Sequence, residues 1–474
     1  MQPTSKDFPA KSSAALKDDA LQKALGNVRG GFQVKRAAAR QALPEFDAMR
    51  DAAVRMKTDV LRNLDGYLAE FENKVQQSGG NVHWAPTAED ARQAILQICK
   101  DAGAKTVTKG KSMIAEEIGL NEALEAADVT PIETDLGEYI IQLRQEPPSH
   151  IIAPAIHLSA NQVEDSFRKA HPDLPEDRDL DSAAALVDEA RQVLRQKYLD
   201  ADVGITGSNF LVAETGSTLI VTNEGNGDLT QIFPRVHIVI ASIDKVLPRL
   251  EDVSLVLRLL ARSATGQEVT SYTTFSTGPK QTGDKDGPEE FHVVLLDNGR
   301  SKMLGTDFEE VLRCIRCGAC MNHCPVYGAI GGHAYGWVYP GPIGAVLSPW
   351  LLGVEEAGHL PNASTFCGRC EAVCPMHIPL PKLMRKHREA EFRSGLTKTR
   401  SKWSLKAWSW LAQRPALYGA VTGLTGRILN AITPQGRAGW LPLAGGWTRS
   451  RDLPTPPQNG TFRSQWAKSG KSQT

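Results

Sequence analysis

Between Asp47 and Val75 apolar residues recur at three- and four-residue intervals (Met49, Ala52, Ala53, Met56, Val60, Leu61). That is the spacing of one helix face, and the first 75 residues read as helical throughout. They suit either an arm packing on a partner or a helix pair capping the body. From Gly80 to about Asp297 the pattern changes to short apolar runs separated by amphipathic stretches. Asn81–Ala85, Lys105–Thr108, Val129–Glu133, His150–Ala153, Val203–Thr206 and His237–Ala241 read as strands. Thr87-Ala-Glu-Asp is a capping-box start for the helix between the first two. Phe210–Val212 and Leu219–Val221 flank Glu214-Thr-Gly-Ser217 as a hairpin would. The alternation predicts an α/β domain with a largely parallel sheet.

Seven of the eight cysteines fall between Cys314 and Cys374, and their spacing changes the picture. Cys314, Cys317, Cys320 and Cys324-Pro form C-x2-C-x2-C-x3-C-P. Cys367, Cys370 and Cys374-Pro repeat that run without its first member. In two-cluster ferredoxins three cysteines of a run hold one cluster and the fourth ligates the other. The crossed rule assigns Cys314, Cys317, Cys320 and Cys374 to one cluster, and Cys324, Cys367 and Cys370 to a second. The missing eighth ligand falls at Ser364. A serine oxygen, a histidine such as His333 or His377, a water, or a cluster with one fewer iron would each satisfy that site. Zinc is the competing reading, but its sites usually pair two CxxC elements with no third close cysteine. Cys99 stands apart, on the apolar face of a helix, and reads as core.

Lys and Arg balance Asp and Glu at 54 each, yet the halves differ. After Arg400 there are ten basic residues and one acidic residue, Asp452. The body is therefore acidic and the tail basic. The tail holds Trp403, Trp408, Trp410, Trp440, Trp447 and Trp466, a composition that suits an acidic partner or an anionic lipid surface. Residues 455–474 read as disordered. The start has no apolar signal core, and no apolar run approaches the roughly 20 residues a spanning helix needs. A cytoplasmic protein is expected, with peripheral contact at the inner face of the membrane as an option. No recognition helix for nucleic acid is evident. Gly110-Lys-Ser112 lacks the first glycine of a P-loop, and no G-x-G-x-x-G occurs.

Lys111-Ser-Met-Ile-Ala-Glu-Glu-Ile-Gly-Leu-Asn121, Glu133-Thr-Asp-Leu-Gly-Glu-Tyr139, Glu214-Thr-Gly-Ser, Asn223-Glu-Gly-Asn and Asp286-Gly-Pro together resemble the LUD domain. The cysteine module that follows, with Gly331-Gly-His-Ala-Tyr-Gly-Trp-Val-Tyr-Pro-Gly-Pro342 between its runs, resembles the lactate utilization protein B family. The resemblance implies a LUD domain, similar in fold to ribose-phosphate isomerases and CoA transferases, over residues 76–300. A ferredoxin-type module of two 4Fe-4S clusters would cover 301–395, with a helical arm over 1–75 and the tail over 396–474. It also implies an iron–sulfur electron-transfer subunit of a multi-subunit system that oxidises L-lactate to pyruvate. Its partners would be an additional iron–sulfur subunit and a LUD-domain subunit, with lactate reached indirectly.

Clusters pass single electrons but do not abstract a hydride, so no catalytic residue is assigned. Two alternatives stay open. An iron without a cysteine at the second cluster would bind lactate, with Arg316, Arg369, His323 or His377 assisting. Otherwise Glu214 or Glu224 is a carboxylate nucleophile of a CoA-transferase-like LUD domain, and the clusters are regulatory or structural.

Overall fold

The computed structural model describes residues 2–433, 436–439, 441, 448, 452–454 and 460–469, except the side chains of residues 28, 29 and 438. The chain divides into two compact units, Met1–Glu391 and Phe392–Thr474.

Two sheets organise the first unit. The larger contains β1 (Asn81–Ala85), β2 (Thr106–Lys109), β3 (Thr130–Glu133), β4 (Val203–Gly207), β7 (Val236–Ser242) and β10 (Glu290–Leu296). All neighbours are parallel, in the order β1-β10-β7-β4-β2-β3. Its central strands are apolar on both faces, as a sheet covered by helices requires. Every residue of β7 is buried. The second sheet holds β5 (Phe210–Val212), β6 (Ser217–Thr222), β8 (Val246–Leu247) and β9 (Tyr272–Ser276) in the order β8-β5-β6-β9. The hairpin expected around Gly216 is its antiparallel β5–β6 pair.

The sequence reading differs from the structure at several places, the short strands β8 and β9 among them. His150–Ala153 is a loop, because Pro147, Pro148 and Pro154 flank it and the His150 ring takes its amides. His150 Nδ1 accepts from the N–H groups of Ile152 (3.0 Å) and Ala153 (3.2 Å), so no ladder forms. Strand β10 was not anticipated, yet it lies between β1 and β7. Phe462–Ser469, expected to be disordered, is a helix; residues 455–459 and 470–474 lie outside the described residues.

The early helices are part of the body. Phe46, Met49, Ala53 and Leu61 share one core with Leu219 and Leu259 of the α/β domain and with Cys317, Tyr327, Tyr339 and Cys374. A buried ion network crosses the same boundary. Arg300, fully enclosed, donates to Glu117 through Nη1 (2.9 Å) and Nη2 (2.6 Å), and the Tyr339 hydroxyl donates to Glu117 (2.5 Å). Burial pushes the Glu117 carboxyl up, but Arg300 and these hydrogen bonds hold it below its ordinary range.

In the second unit, helices Thr399–Ala412 and Pro415–Ile432 pack together. Trp403, Trp408, Trp410 and Trp466 are exposed, while Trp440 and Trp447 lie outside the described residues. Among the described residues no helix is long and apolar enough to cross a membrane.

Candidate iron–sulfur centre

The two cysteine runs fold into one backbone pattern used twice. A 3-10 turn, Glu309–Arg313, leads into Cys314 at φ −65°, ψ 121°; its counterpart, Leu360–Ala363, leads into Ser364 at φ −68°, ψ 134°. The Cys314 N–H reaches the Val311 carbonyl at 3.1 Å, and that of Ser364 reaches Pro361 at 3.1 Å. Two residues on, the Arg316 N–H points at Cys314 Sγ (3.4 Å) and the Phe366 N–H at Ser364 Oγ (3.2 Å). Arg316 and Phe366 both take left-handed backbones, φ +57° and +53°. Gly318 and Gly368 follow at φ +70° and +78°, where a side chain is strained. Short helices, Ala319–Asn322 and Arg369–Ala372, then carry Cys320 and Cys370. Ser364 thus stands where Cys314 stands in the first run.

The runs cross in space. The thiols acting on Cys320 are Cys314, Cys317 and Cys374 from both runs, followed by Cys370 of the other set. Those acting on Cys370 are Cys324 and Cys367. Cys324, Ser364, Cys367 and Cys370 line one pocket together with Tyr335, Phe366 and Arg369. Neither His333 nor His377 is among its lining residues. His333 Nε2 instead meets the Pro147 carbonyl at 2.7 Å, and His377 lies 3.6 Å from Asp51. His323 Nδ1 meets the Ala319 carbonyl at 2.9 Å. Of Arg316, Arg369, His323 and His377, considered as lactate partners at the second site, only Arg369 lines this pocket.

Donor chemistry suits iron–sulfur clusters. Burial, with Cys374 next, pushes the Cys317 thiol up to about 12; burial, with Cys324 next, pushes Cys370 up to about 12. A metal that takes the thiolates relieves that crowding. Backbone N–H groups are already aimed at sulfur, from Arg316 to Cys314 (3.4 Å) and from Tyr327 to Cys324 (3.5 Å).

Buried cations surround the first set. Arg36 acts on Cys317 and Cys374, Arg50 on Cys374, and Lys57, Lys245 and Arg316 on Cys314. Arg36 and Arg50 come from the early helices and donate to the carbonyls of Val373 (2.8 Å) and Cys374 (2.6 Å). Nε of Arg36, Arg50 and Arg316, and Nη1 of Arg316, are buried without partners. Buried charge is costly unless balanced, and a thiolate-bound cluster is the anion this cage lacks. The cysteines were legible from their spacing; Arg36 and Arg50 carry no local signal and were missed.

Glu214 and Glu224 separate in role. Glu214 Oε2 accepts the Leu250 N–H (2.9 Å), starting helix Leu250–Ala264, so its carboxylate serves the fold. Glu224 lies on a different cleft, where partial burial and the neighbouring Asp135 raise its carboxyl above the ordinary range. Cys99 is core, 1% exposed.

Fold and site define the class: an α/β domain followed by a 4Fe-4S dicluster module. The LUD domain family matches residues 68–296, the 4Fe-4S dicluster domain family residues 310–378, and the family described as lactate utilisation protein B, C-terminal, residues 383–471. The chain is 40% identical to lactate utilization protein B of Bacillus subtilis (strain 168), over 97% of this chain and 96% of that protein. It is 43% identical to lactate utilization protein B of Geobacillus thermodenitrificans, over 94% of each. The uncharacterized electron transport protein YkgF of Escherichia coli (strain K12) is 41% identical, over 98% and 97%. The chain therefore belongs to the lactate utilization protein B family. A crystal structure of a DUF162 family protein from Deinococcus radiodurans is similar at 15% identity and a TM-score of 0.26, covering 49% of this chain and 98% of that one. At that score it carries no argument.

Proposed function

We propose that the protein is the iron–sulfur electron-transfer subunit of a lactate-oxidising system, with two four-iron clusters. Cys314, Cys317, Cys320 and Cys374 hold the first; Cys324, Cys367, Cys370 and the Ser364 oxygen hold the second. The observation that supports this reading is the duplicated turn, in which Ser364 takes the backbone position of Cys314 and lines one pocket with Cys324, Cys367 and Cys370. Bound clusters supply one-electron sites whose potentials the surroundings tune. The chain's own residues exclude water, aim N–H dipoles at sulfur and balance charge. The names of the relatives, lactate utilization and electron transport, support this physiological context. Partner subunits, another iron–sulfur protein and another LUD-domain protein, would supply the chemistry at the substrate carbon.

Iron and sulfide analysis with EPR and Mössbauer spectra of anaerobically purified protein tests it. Two reducible clusters are expected, one with an iron site distinct from the others. Ser364→Cys should convert that site to an all-cysteine spectrum, and Ser364→Ala should yield a three-iron signal. Zinc in place of iron would overturn the function. Identical spectra in all three proteins would overturn the serine ligand alone.

A further inference from the structure

The two turns that lead into Cys314 and Ser364 share a backbone but not their supports. Arg388, on the helix Leu380–Arg393, reaches back to the Ser364 turn with its guanidinium. Nε and Nη2 donate to the Pro361 carbonyl at 3.1 and 2.8 Å, and Nη2 also donates to the Ser364 carbonyl at 3.0 Å. The same group lies 4.2 Å from the centroid of the Phe366 ring. A planar fork of fixed N–H directions suits this task, because it grips acceptors and stacks on an aromatic face at once. The serine, and residues on either side of it, are tied to one side chain.

A second tether runs from the same helix: Glu391 Oε2 accepts the Asn362 side-chain N–H at 2.8 Å. The helix is anchored in turn by Leu380, Leu383, Met384 and His387, all buried, with His387 Nε2 on the Val346 carbonyl at 2.8 Å. Met384, one turn before Arg388, lines the second cluster's pocket with Ser364. The first run has no such grip. Among the described residues, no side chain donates to the carbonyls of Val311 or Cys314, which correspond to Pro361 and Ser364. Phe366 corresponds to Arg316, whose own side chain turns to Asp244 and Tyr339. The arginine clamp is thus present only where oxygen replaces sulfur. That pairing has a chemical reason. Iron in sulfide clusters favours soft thiolates, so an oxygen donor starts at a disadvantage. Fixing the donor before iron arrives removes an ordering cost that a weak ligand offsets poorly.

We propose that Arg388 is a positioning residue for the second cluster, holding the Ser364 turn in the form that lets its oxygen serve as the fourth donor. Its hydrogen bonds go to carbonyls, not to Ser364 Oγ or a thiol, so it acts through the loop. This role rests on the serine-ligand reading. It adds that an oxygen ligand is tolerated here because the turn around it is ordered in advance. A thiolate at the same position would not need the clamp.

Arg388→Met and Arg388→Lys, each made in the wild-type chain and in Ser364→Cys and purified anaerobically at full length, are the test. Mössbauer and EPR spectra read the second cluster, and titration with an iron chelator reads its fourth iron. With serine in place, Arg388→Met should lower affinity for that iron roughly tenfold or more, the usual effect of removing an outer partner of a metal ligand. A three-iron signal should appear while the first cluster's spectrum keeps its wild-type amount. Arg388→Lys keeps the charge without the fork; it should show the same loss, and it decides the matter if the methionine variant fails to fold. In Ser364→Cys both changes should leave four irons in place, which a general prop of the fold would not allow. An oxygen-ligated four-iron spectrum unchanged by both substitutions overturns the clamp and leaves the serine ligand standing. So does equal loss of iron from the serine and cysteine chains. A wild-type second cluster that lacks the distinct iron and matches Ser364→Ala overturns the serine ligand, and the clamp with it.

Discussion

Around Cys314, Cys317, Cys320 and Cys374 the protein sets five buried cations, Arg36, Arg50, Lys57, Lys245 and Arg316. Around Cys324, Cys367 and Cys370 the same backbone turn recurs with different surroundings. Cys367 and Arg369 are exposed, and what acts on Cys324 and Cys370 is burial, backbone N–H groups and neighbouring thiols. Geometry selects where iron is held, whereas the environment sets how much negative charge it tolerates. Enclosed cations favour the reduced, more negative form, so the first centre should accept an electron more readily than the second.

The sharpest way to break this comparison is to remove one ligand from each side. Cys374→Ala should abolish the first cluster and, because Cys374 lies in the shared core, lower thermal stability of the whole first unit. Cys367→Ala should remove only the second cluster and leave the melting curve nearly unchanged. Iron analysis with circular dichroism melts reads both. If the two variants melt alike, the enclosed and open environments are not different in kind.

Next in size is the cage. Arg50→Met should lower the reduction potential of the first cluster by an amount on the order of 2 kcal/mol per electron, from Coulomb's law at an effective dielectric of about 20. The second cluster should not move. EPR-monitored redox titration resolves the two. Air exposure gives a third contrast: the second cluster, with Cys367 exposed, should lose iron several times faster than the first, followed by loss of its EPR signal.

The smallest effect lies away from both centres and calibrates them. Glu138 is buried, and burial together with Glu133 and Glu116 raises its carboxyl well above the ordinary range. A raised acid costs stability when ionised, a cost absent below the unfolded value near 4 and growing as pH rises above it. Glu138→Gln should therefore stabilise the protein at pH 7 by about 1–2 kcal/mol, read as a higher melting temperature, and give no gain near pH 4. A gain that persists at pH 4 would point to packing instead of charge.

Local pattern made much of this architecture legible. Alternating apolar runs marked β1, β2, β4 and β7, and Thr87 with Asp90 forms the expected capping box. Strand β10 escaped because Phe291–Leu296 follows a long Gly-rich loop and shows no polar alternation, being buried on both faces. His150–Ala153 was misread because its apolar residues serve a turn organised by its own histidine. At the site, ligand spacing is a local property and was readable. Apart from Arg316, the cationic cage is assembled from residues roughly 70 to 340 positions away from the cysteines, and no periodicity encodes such distances.

The early helices that carry Arg36 and Arg50 leave the ribosome long before the cysteines they face. Until Cys374 is synthesised, those guanidinium groups have no enclosed anion to meet, and the core they share with the module cannot close. Maturation of the first centre is thus tied to completion of nearly the entire first unit. Iron delivered to a nascent or truncated chain would find thiols without their cage. A shortened protein beginning after Arg50 should accordingly emerge from the cell iron-poor, even though every cysteine is present.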